Sequence, residues 1–195
     1  MELGYIRWDV SPELFSLGPL TIRWYGLLFA LGFLIGFYFM TKIFEREKKS
    51  IEDLNQLFYH VIIGTIIGAR LGHCLFYDPE YYLSNPFEIL KIWHGGLASH
   101  GGVMGIVIGV YLYSRQRPGQ DLTWVLDRLT IPAMLGASFI RLGNLFNSEI
   151  LGNPTDVPWA VIFVRIDMLP RHPAQLYEAI IYALIFLFLL YAYWT

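Results

Sequence analysis

The sequence predicts an all-α integral membrane protein: a polytopic helix bundle of about five spans, with a small extracytoplasmic cap that contains a short strand. Three observations lead there. Of the 195 residues, 55% are hydrophobic and only 15% charged, against about 25% charged in a typical soluble domain. Mean hydropathy is +0.47. Long uncharged runs alternate with short polar segments whose charge changes sign from one to the next. The whole of 1–195 reads as a single membrane domain.

Taken in order, residues 1–22 mix Pro12, Pro19 and Gly18 with Ile6, Trp8, Phe15 and Leu20. That pattern predicts an amphipathic or looped segment at the membrane interface. Met1 and Glu2 open without the basic start of a cleaved leader, so none is expected. Residues 24–41 carry no charge and form the first span, where Gly32 and Gly36 offer a close-packing face. Lys42, Arg46, Lys48 and Lys49 follow. By the positive-inside rule they put that loop in the cytoplasm and the N-terminus outside. Residues 57–77 are the second span, interrupted by Arg70. Asp78, Glu80 and Glu88 then lie outside, with 86–93 along the surface. Residues 95–114 return inward to Arg115 and Arg117, with Gly101, Gly105 and Gly109 as a packing ridge. Residues 129–147 run outward. The polar stretch 148–178 forms the cap, in which the β-branched and aromatic run 158–165 suits a short strand. Residues 179–195 form the fifth span.

The unusual polar residues fall at one depth. Tyr25, Arg70, His73, His94, His100, Arg141, Asn144, Glu149 and the 172–178 stretch all map to outer ends of spans or to the cap. Arg141, Asn144 and Ser148 are spaced to share one helix face, as are Arg70, His73 and Tyr77. A guanidinium in a membrane segment costs roughly 2.5 kcal/mol or more and needs a partner. For Arg141 the choices are an anionic headgroup held by its planar fork, or a structural lock on Glu149 or helix carbonyls. His100 lies further into an apolar run than His94, which reads as an interfacial hydrogen-bonder, while His60 reads as structural. No histidine pair has helix-sharing metal spacing, so no metal or haem is expected. Cys74, the single cysteine, excludes an internal disulfide and suits a buried, inert thiol. No basic face is broad enough to track nucleic acid.

Four segments carry a family resemblance. Arg23-Trp24-Tyr25-Gly26, the glycine-rich run 94–102 with His94 and His100, the 136–152 stretch with its Arg141-Leu142-Gly143-Asn144 core, and the 171–178 stretch from Arg171 to Glu178 resemble the bacterial prolipoprotein diacylglyceryl transferases. The resemblance covers nearly the whole chain in the same order. It implies an enzyme of the bacterial cytoplasmic (inner) membrane that moves the diacylglyceryl group of phosphatidylglycerol onto the lipobox cysteine of a prolipoprotein signal peptide. A thioether forms, glycerol phosphate leaves, and no cofactor is needed. The resemblance makes Tyr25, His100, Arg141, Asn144, Glu149 and Gly152 the functional positions, with proton transfer assigned to none of them. Arg70 and His73 join them as further headgroup contacts on their position alone. The family pattern runs on beyond residue 195 into helices bearing another functional Tyr, Arg and Glu. This gives the expectation of a truncated chain that binds lipid but transfers little by itself. A lipid-binding or transport module without catalysis is the alternative reading.

Overall fold

The computed structural model describes residues 4–18 and 20–195, with Leu20 and His94 described by backbone alone. The expectations for Met1 and Glu2, for Pro19 and for the His94 side chain lie outside the described residues. The chain is a helical, polytopic membrane protein. Among the described residues, four helices are long and apolar enough to cross a membrane: α1 (Trp24–Arg46), α2 (Ile51–Phe76), α5 (Leu122–Asn147) and α6 (Ala174–Trp194). Between α2 and α5 lie the short α3 (Pro79–Ser84), two 3₁₀ turns at Pro86–Leu90 and Ile92–His94, and the 16-residue α4 (Ser99–Ser114). The chain forms two compact units, Met1–Phe39 with Thr130–Thr195, and Met40–Leu129.

In the first unit the N-terminal stretch is not a loop. It supplies three strands, β1 (Ile6–Trp8), β2 (Glu13–Leu17) and β3 (Leu20–Arg23). β2 and β3 form a hairpin whose turn includes Gly18 at φ 59°, a left-handed value open to glycine. β1 pairs in parallel with β4 (Val161–Phe163), the strand expected within 158–165, and β4 pairs antiparallel with β5 (Pro170–Arg171). Local pattern missed β1 because its partner lies in the cap, far along the chain. Leu145, Val161 and Phe163 form a small core with Trp8 and Leu151. Trp8 Nε1 donates to the Leu145 carbonyl at 3.1 Å, which satisfies the indole as the ring is covered. Gly32 and Gly36 of α1 face Gly136 and Pro132 of α5 at 3.3 and 3.5 Å from where a Cβ would stand, the close packing that their spacing predicts.

Asp167 and Arg171 tie the cap together with Nη2–Oδ2 at 2.6 Å and Nε–Oδ2 at 3.1 Å, while Arg171 Nη1 reaches the Gly152 carbonyl at 3.3 Å. The hydrogen bonds from Arg171 hold the Asp167 carboxyl below its ordinary value of 3.8. A lowered value means that the pair contributes stability above the ordinary value and loses it as pH falls through the folded value. Asp167→Asn is expected to speed exchange of the Thr155 amide, which bonds Pro170 O at 2.9 Å, at neutral pH. The gap from wild type should close in strong acid. A gap that is unchanged with pH would show that the ion pair is not what holds the cap.

In the second unit α2 and α4 lie backbone to backbone. Gly64, Gly68 and Gly72 of α2 meet Gly101 and Gly105 of α4, and Gly109 meets the His60 carbonyl. The ridge read from α4 thus has a matching glycine ridge on α2. A shallow apolar groove of about 590 Å³ runs along this seam between Gln56 and Phe76. Near its lower end His60 Nδ1 hydrogen-bonds the Gln56 carbonyl at 2.7 Å, in line with a structural role. Cys74 is fully buried. Several charged residues at these helix ends are bound into the loops. Glu47 accepts from Trp124 Nε1 at 2.9 Å and Arg128 Nε at 3.0 Å, and Lys49 donates to Gly119 O at 2.9 Å. Arg117 Nε lies 2.8 Å from Asp53 Oδ1, an ion pair without the N–H aimed at the oxygen.

Candidate functional site

The C-terminal end of α5 sets the geometry. Ser148 N–H bonds Leu145 O at 3.1 Å and Glu149 N–H bonds Asn144 O at 2.9 Å, with Ser148 at φ 56°. This is a Schellman ending without the usual glycine. It corrects the reading of Ser148 as a continuation of the Arg141–Asn144 face, because the chain turns back one residue earlier. Ser148 is buried, and its Oγ accepts from Arg165 Nη2 at 2.9 Å. Ile150 is also left-handed, at φ 54°. Each such residue stores roughly 1–3 kcal/mol of strain, a feature that clusters at functional sites.

The reversal folds Glu149 back onto its own helix. Asn144 Nδ2 donates to Glu149 Oε2 at 3.1 Å, Asn147 Nδ2 donates to Oε1 at 3.2 Å, and Gln175 Nε2 of α6 donates to the Glu149 carbonyl. Both carboxylate oxygens therefore have partners, and neither is Arg141. Arg141 pairs instead with Glu178 of α6, Nε to Oε2 at 2.8 Å. Its terminal amines make no hydrogen bond among the described residues and stay available to an anion. A guanidinium held through Nε presents its two outer nitrogens as a fork suited to a phosphate. The buried oxygens Asn144 Oδ1, Asn147 Oδ1 and Gln175 Oε1 have no donor among the described residues, and each such acceptor costs about 1–3 kcal/mol.

The other residues of this unit gather at the same helix end. The Tyr25 ring lies over Gly143, with Cδ2 at 2.6 Å from where a Cβ would stand, so only glycine lets the ring so close. Trp24 stacks on Phe146 with centroids 4.7 Å apart. At Gly152 a Cβ would meet His172 O at 2.5 Å and His172 Cβ at 2.7 Å. Gly152 N–H bonds that carbonyl at 3.2 Å. Tyr177 OH receives Trp159 Nε1 at 2.7 Å and lies 3.1 Å from His172 Nδ1. Tyr25, Arg141, Asn144, Glu149 and Gly152 thus lie in one unit, joined by Gln175 and Glu178 of the 172–178 stretch, to which the sequence assigned no individual roles. Their i, i+3 spacing on α6 puts both on one face, the signal that could have found them.

Arg70, His73 and His100 lie in the second unit. Arg70 is buried and donates Nε to Ile89 O at 2.8 Å, Nη1 to Gly95 O at 2.6 Å and Gly96 O at 3.2 Å, and Nη2 to Glu88 O at 2.5 Å. Of the five N–H groups of a guanidinium, one is left over. Arg70 clasps the loop between α3 and α4. The His73 ring stacks on Tyr77 at 5.4 Å and sits 2.6 Å from where a Gly96 Cβ would stand. His100, exposed at the start of α4, lies between the Phe76 ring at 5.2 Å and the Tyr77 ring at 6.0 Å. Its ring nitrogens make no hydrogen bond among the described residues. No group of three or more potential metal ligands occurs among the described residues.

Comparison with known proteins bears on this arrangement directly. The family model described as prolipoprotein diacylglyceryl transferase matches residues 12–195. A relative from Chloroherpeton thalassium, named phosphatidylglycerol–prolipoprotein diacylglyceryl transferase, is 70% identical over 98% of this chain and 71% of its own length. Relatives of the same name from Tolumonas auensis and Porphyromonas gingivalis are 53% and 48% identical, over 96% and 98% of this chain and 73% and 71% of their own lengths. Both the polar helix end at Arg141 and the glycine seam that carries His100 fall inside the matched region, and the chain belongs to the prolipoprotein diacylglyceryl transferase family.

Proposed function

We propose that the chain transfers the diacylglyceryl group of phosphatidylglycerol to the cysteine thiol of a prolipoprotein, with the lipid phosphate on Arg141. The observation that carries this is the guanidinium paired through Nε with Glu178 at 2.8 Å, its terminal amines making no hydrogen bond among the described residues. The cysteine sulfur attacks the glyceryl carbon that bears the phosphate ester. The carbon–sulfur bond forms as the carbon–oxygen bond breaks, and the electron pair leaves on the oxygen of glycerol phosphate. The positive fork on Arg141 stabilises the charge that gathers there. His100 is the candidate base for the thiol: its nitrogens make no hydrogen bond among the described residues, and a thiol with a pKa of about 8.5 needs a base to become nucleophilic. Tyr25 supports the reacting groups over Gly143, while Asn144, Glu149 and Gly152 shape the donor site. Arg70 and His73 act through the loop they hold. The test is the mass of a prolipoprotein acceptor after incubation with the chain and phosphatidylglycerol. A gain of one diacylglyceryl group on cysteine supports transfer, whereas lipid retention with no gain supports a binding module.

The substrate-facing side is the extracytoplasmic face of the bacterial inner membrane, with the N-terminus and the 148–178 cap outside. Lys42, Arg46, Lys48, Lys49, Arg115 and Arg117 at the opposite helix ends support this orientation. With Cys74 buried and free, Thr155→Cys is expected to react with a membrane-impermeant thiol reagent from outside. Reaction only after the cytoplasmic side is opened would reverse the topology.

A further inference from the structure

The turn between β4 and β5 carries a surface that the reaction does not use. Ile166, Met168 and Leu169 are 55%, 55% and 49% exposed, three large apolar side chains within four consecutive residues. Asp167, the fourth, is occupied from within the cap. Its Oδ1 accepts from Leu169 N–H at 3.1 Å, and its Oδ2 accepts from Arg171 Nη2 at 2.6 Å. Arg165, just before the turn, donates Nη2 to Phe146 O at 2.7 Å and to Ser148 Oγ at 2.9 Å, and pairs with no carboxylate among the described residues. The tip is thus apolar, its acid neutralised, on a positively charged base. Single exposed apolar residues need no explanation, but a cluster of them marks a membrane or protein contact.

Its place in the fold decides between the two. Phe163 is fully buried in the small core that it shares with Leu145, in the last turn of α5. The amides of Ile166 and Asp167 both bond Phe163 O, at 2.8 and 3.2 Å, so the turn begins beside that helix end. α5 has 26 residues, about 39 Å of helix at 1.5 Å per residue, against about 40–45 Å for a bilayer with its headgroup regions. Its end therefore stands at headgroup depth. Met168 follows Arg165 by three residues, a reach of at most about 10 Å, which keeps the tip beside that layer. The nearest apolar phase is the acyl boundary of the membrane itself, and a positive base suits anionic headgroups. We infer that Ile166, Met168 and Leu169 dip into the lipid surface and anchor the cap there, so that the polar end of α5 has an attachment to the bilayer besides the helices.

The experiment reads the surroundings of a probe at the tip. Met168→Cys is labelled with a thiol-reactive nitrobenzoxadiazole dye, and the chain is reconstituted into vesicles of phosphatidylethanolamine and phosphatidylglycerol. Cys74 is buried and free, and the unsubstituted chain taken through the same labelling supplies its background. Asp156→Cys, at an exposed acid of the same cap, is the aqueous reference. Burial at the acyl boundary should make quenching by aqueous iodide about threefold weaker at 168 than at 156, while nitroxide-bearing lipid quenches 168 the more strongly. Adding Ile166→Asp should return iodide quenching at 168 to the level of 156, because a carboxylate drives the tip back to water. Leu169→Cys takes the place of Met168→Cys if that variant does not extract folded. Equal iodide quenching at 168 and 156 would leave the tip in water and overturns the inference. Iodide shielding without nitroxide quenching would mean that protein, not lipid, covers the tip, and also overturns it. Lipid quenching that survives Ile166→Asp would mean that the dye, not the apolar side chains, enters the membrane, which overturns it too.

Discussion

Arg141→Ala is expected to lower diacylglyceryl transfer by about 10²–10³-fold, the usual effect of removing a donor aimed at developing charge. Arg141→Lys should fall nearly as far. In the proposed reaction the side chain has two tasks at once: Nε pairs with Glu178 at 2.8 Å, and the terminal amines take the phosphate. An ammonium is a single point of charge and cannot serve both in one geometry. Transfer rates normalised to extracted, monodisperse protein would measure this. Glu178→Gln is the informative companion, since it leaves the guanidinium in place but loosens its aim, so its rate should lie between wild type and Arg141→Ala. A lysine variant at wild-type rate would return Arg141 to a structural lock on α6.

The largest effect on folding is expected at the glycine seam. A Cβ at Gly105 would fall on the Gly64 backbone, and one at Gly72 would stand 2.7 Å from Gly101 Cα. Backbone cannot swing aside as a side chain can, so the two helices must part. Even Gly105→Ala should cost about 1–3 kcal/mol, as overpacking does, and Gly105→Leu should prevent the α2–α4 pair from forming. Gly26→Ala is the control: nothing lies within 4 Å of its Cβ position, and alanine in a helix gains about 0.5–1 kcal/mol over glycine. Thermal unfolding in detergent would rank the three. Equal melting of Gly105→Ala and wild type would mean that the seam can spread without penalty. Because His100 and Gly101 are neighbours on α4, loss of the seam should remove transfer as well.

The helices were legible because apolar runs carry their length in local sequence. The α4 ridge was legible for the same reason, three glycines four apart. Its partner on α2 was not, since Gly64, Gly68 and Gly72 are interleaved with Arg70 and His73, whose polarity drew the functional reading. The clasp that Arg70 makes depends on carbonyls of a loop that no pattern places. The N-terminal strands were hidden because β1 is completed only by β4 of the cap. At the site, Arg141 and Glu149 are marked by charge out of place. The 172–178 stretch was read at the same depth, but the pairing of Glu178 with Arg141 and of Gln175 with the Glu149 carbonyl becomes visible only when α6 is laid beside α5. Ser148 misled because a left-handed helix ending without glycine looks like continuing helix.

A structure of the chain bound to phosphatidylglycerol tests the central claim most directly. The account predicts the phosphate oxygens at about 2.7–2.9 Å from the terminal amines of Arg141, the range of charge-assisted hydrogen bonds, with Nε still on Glu178. A phosphate seated elsewhere, with Arg141 holding Glu178 alone, would contradict it.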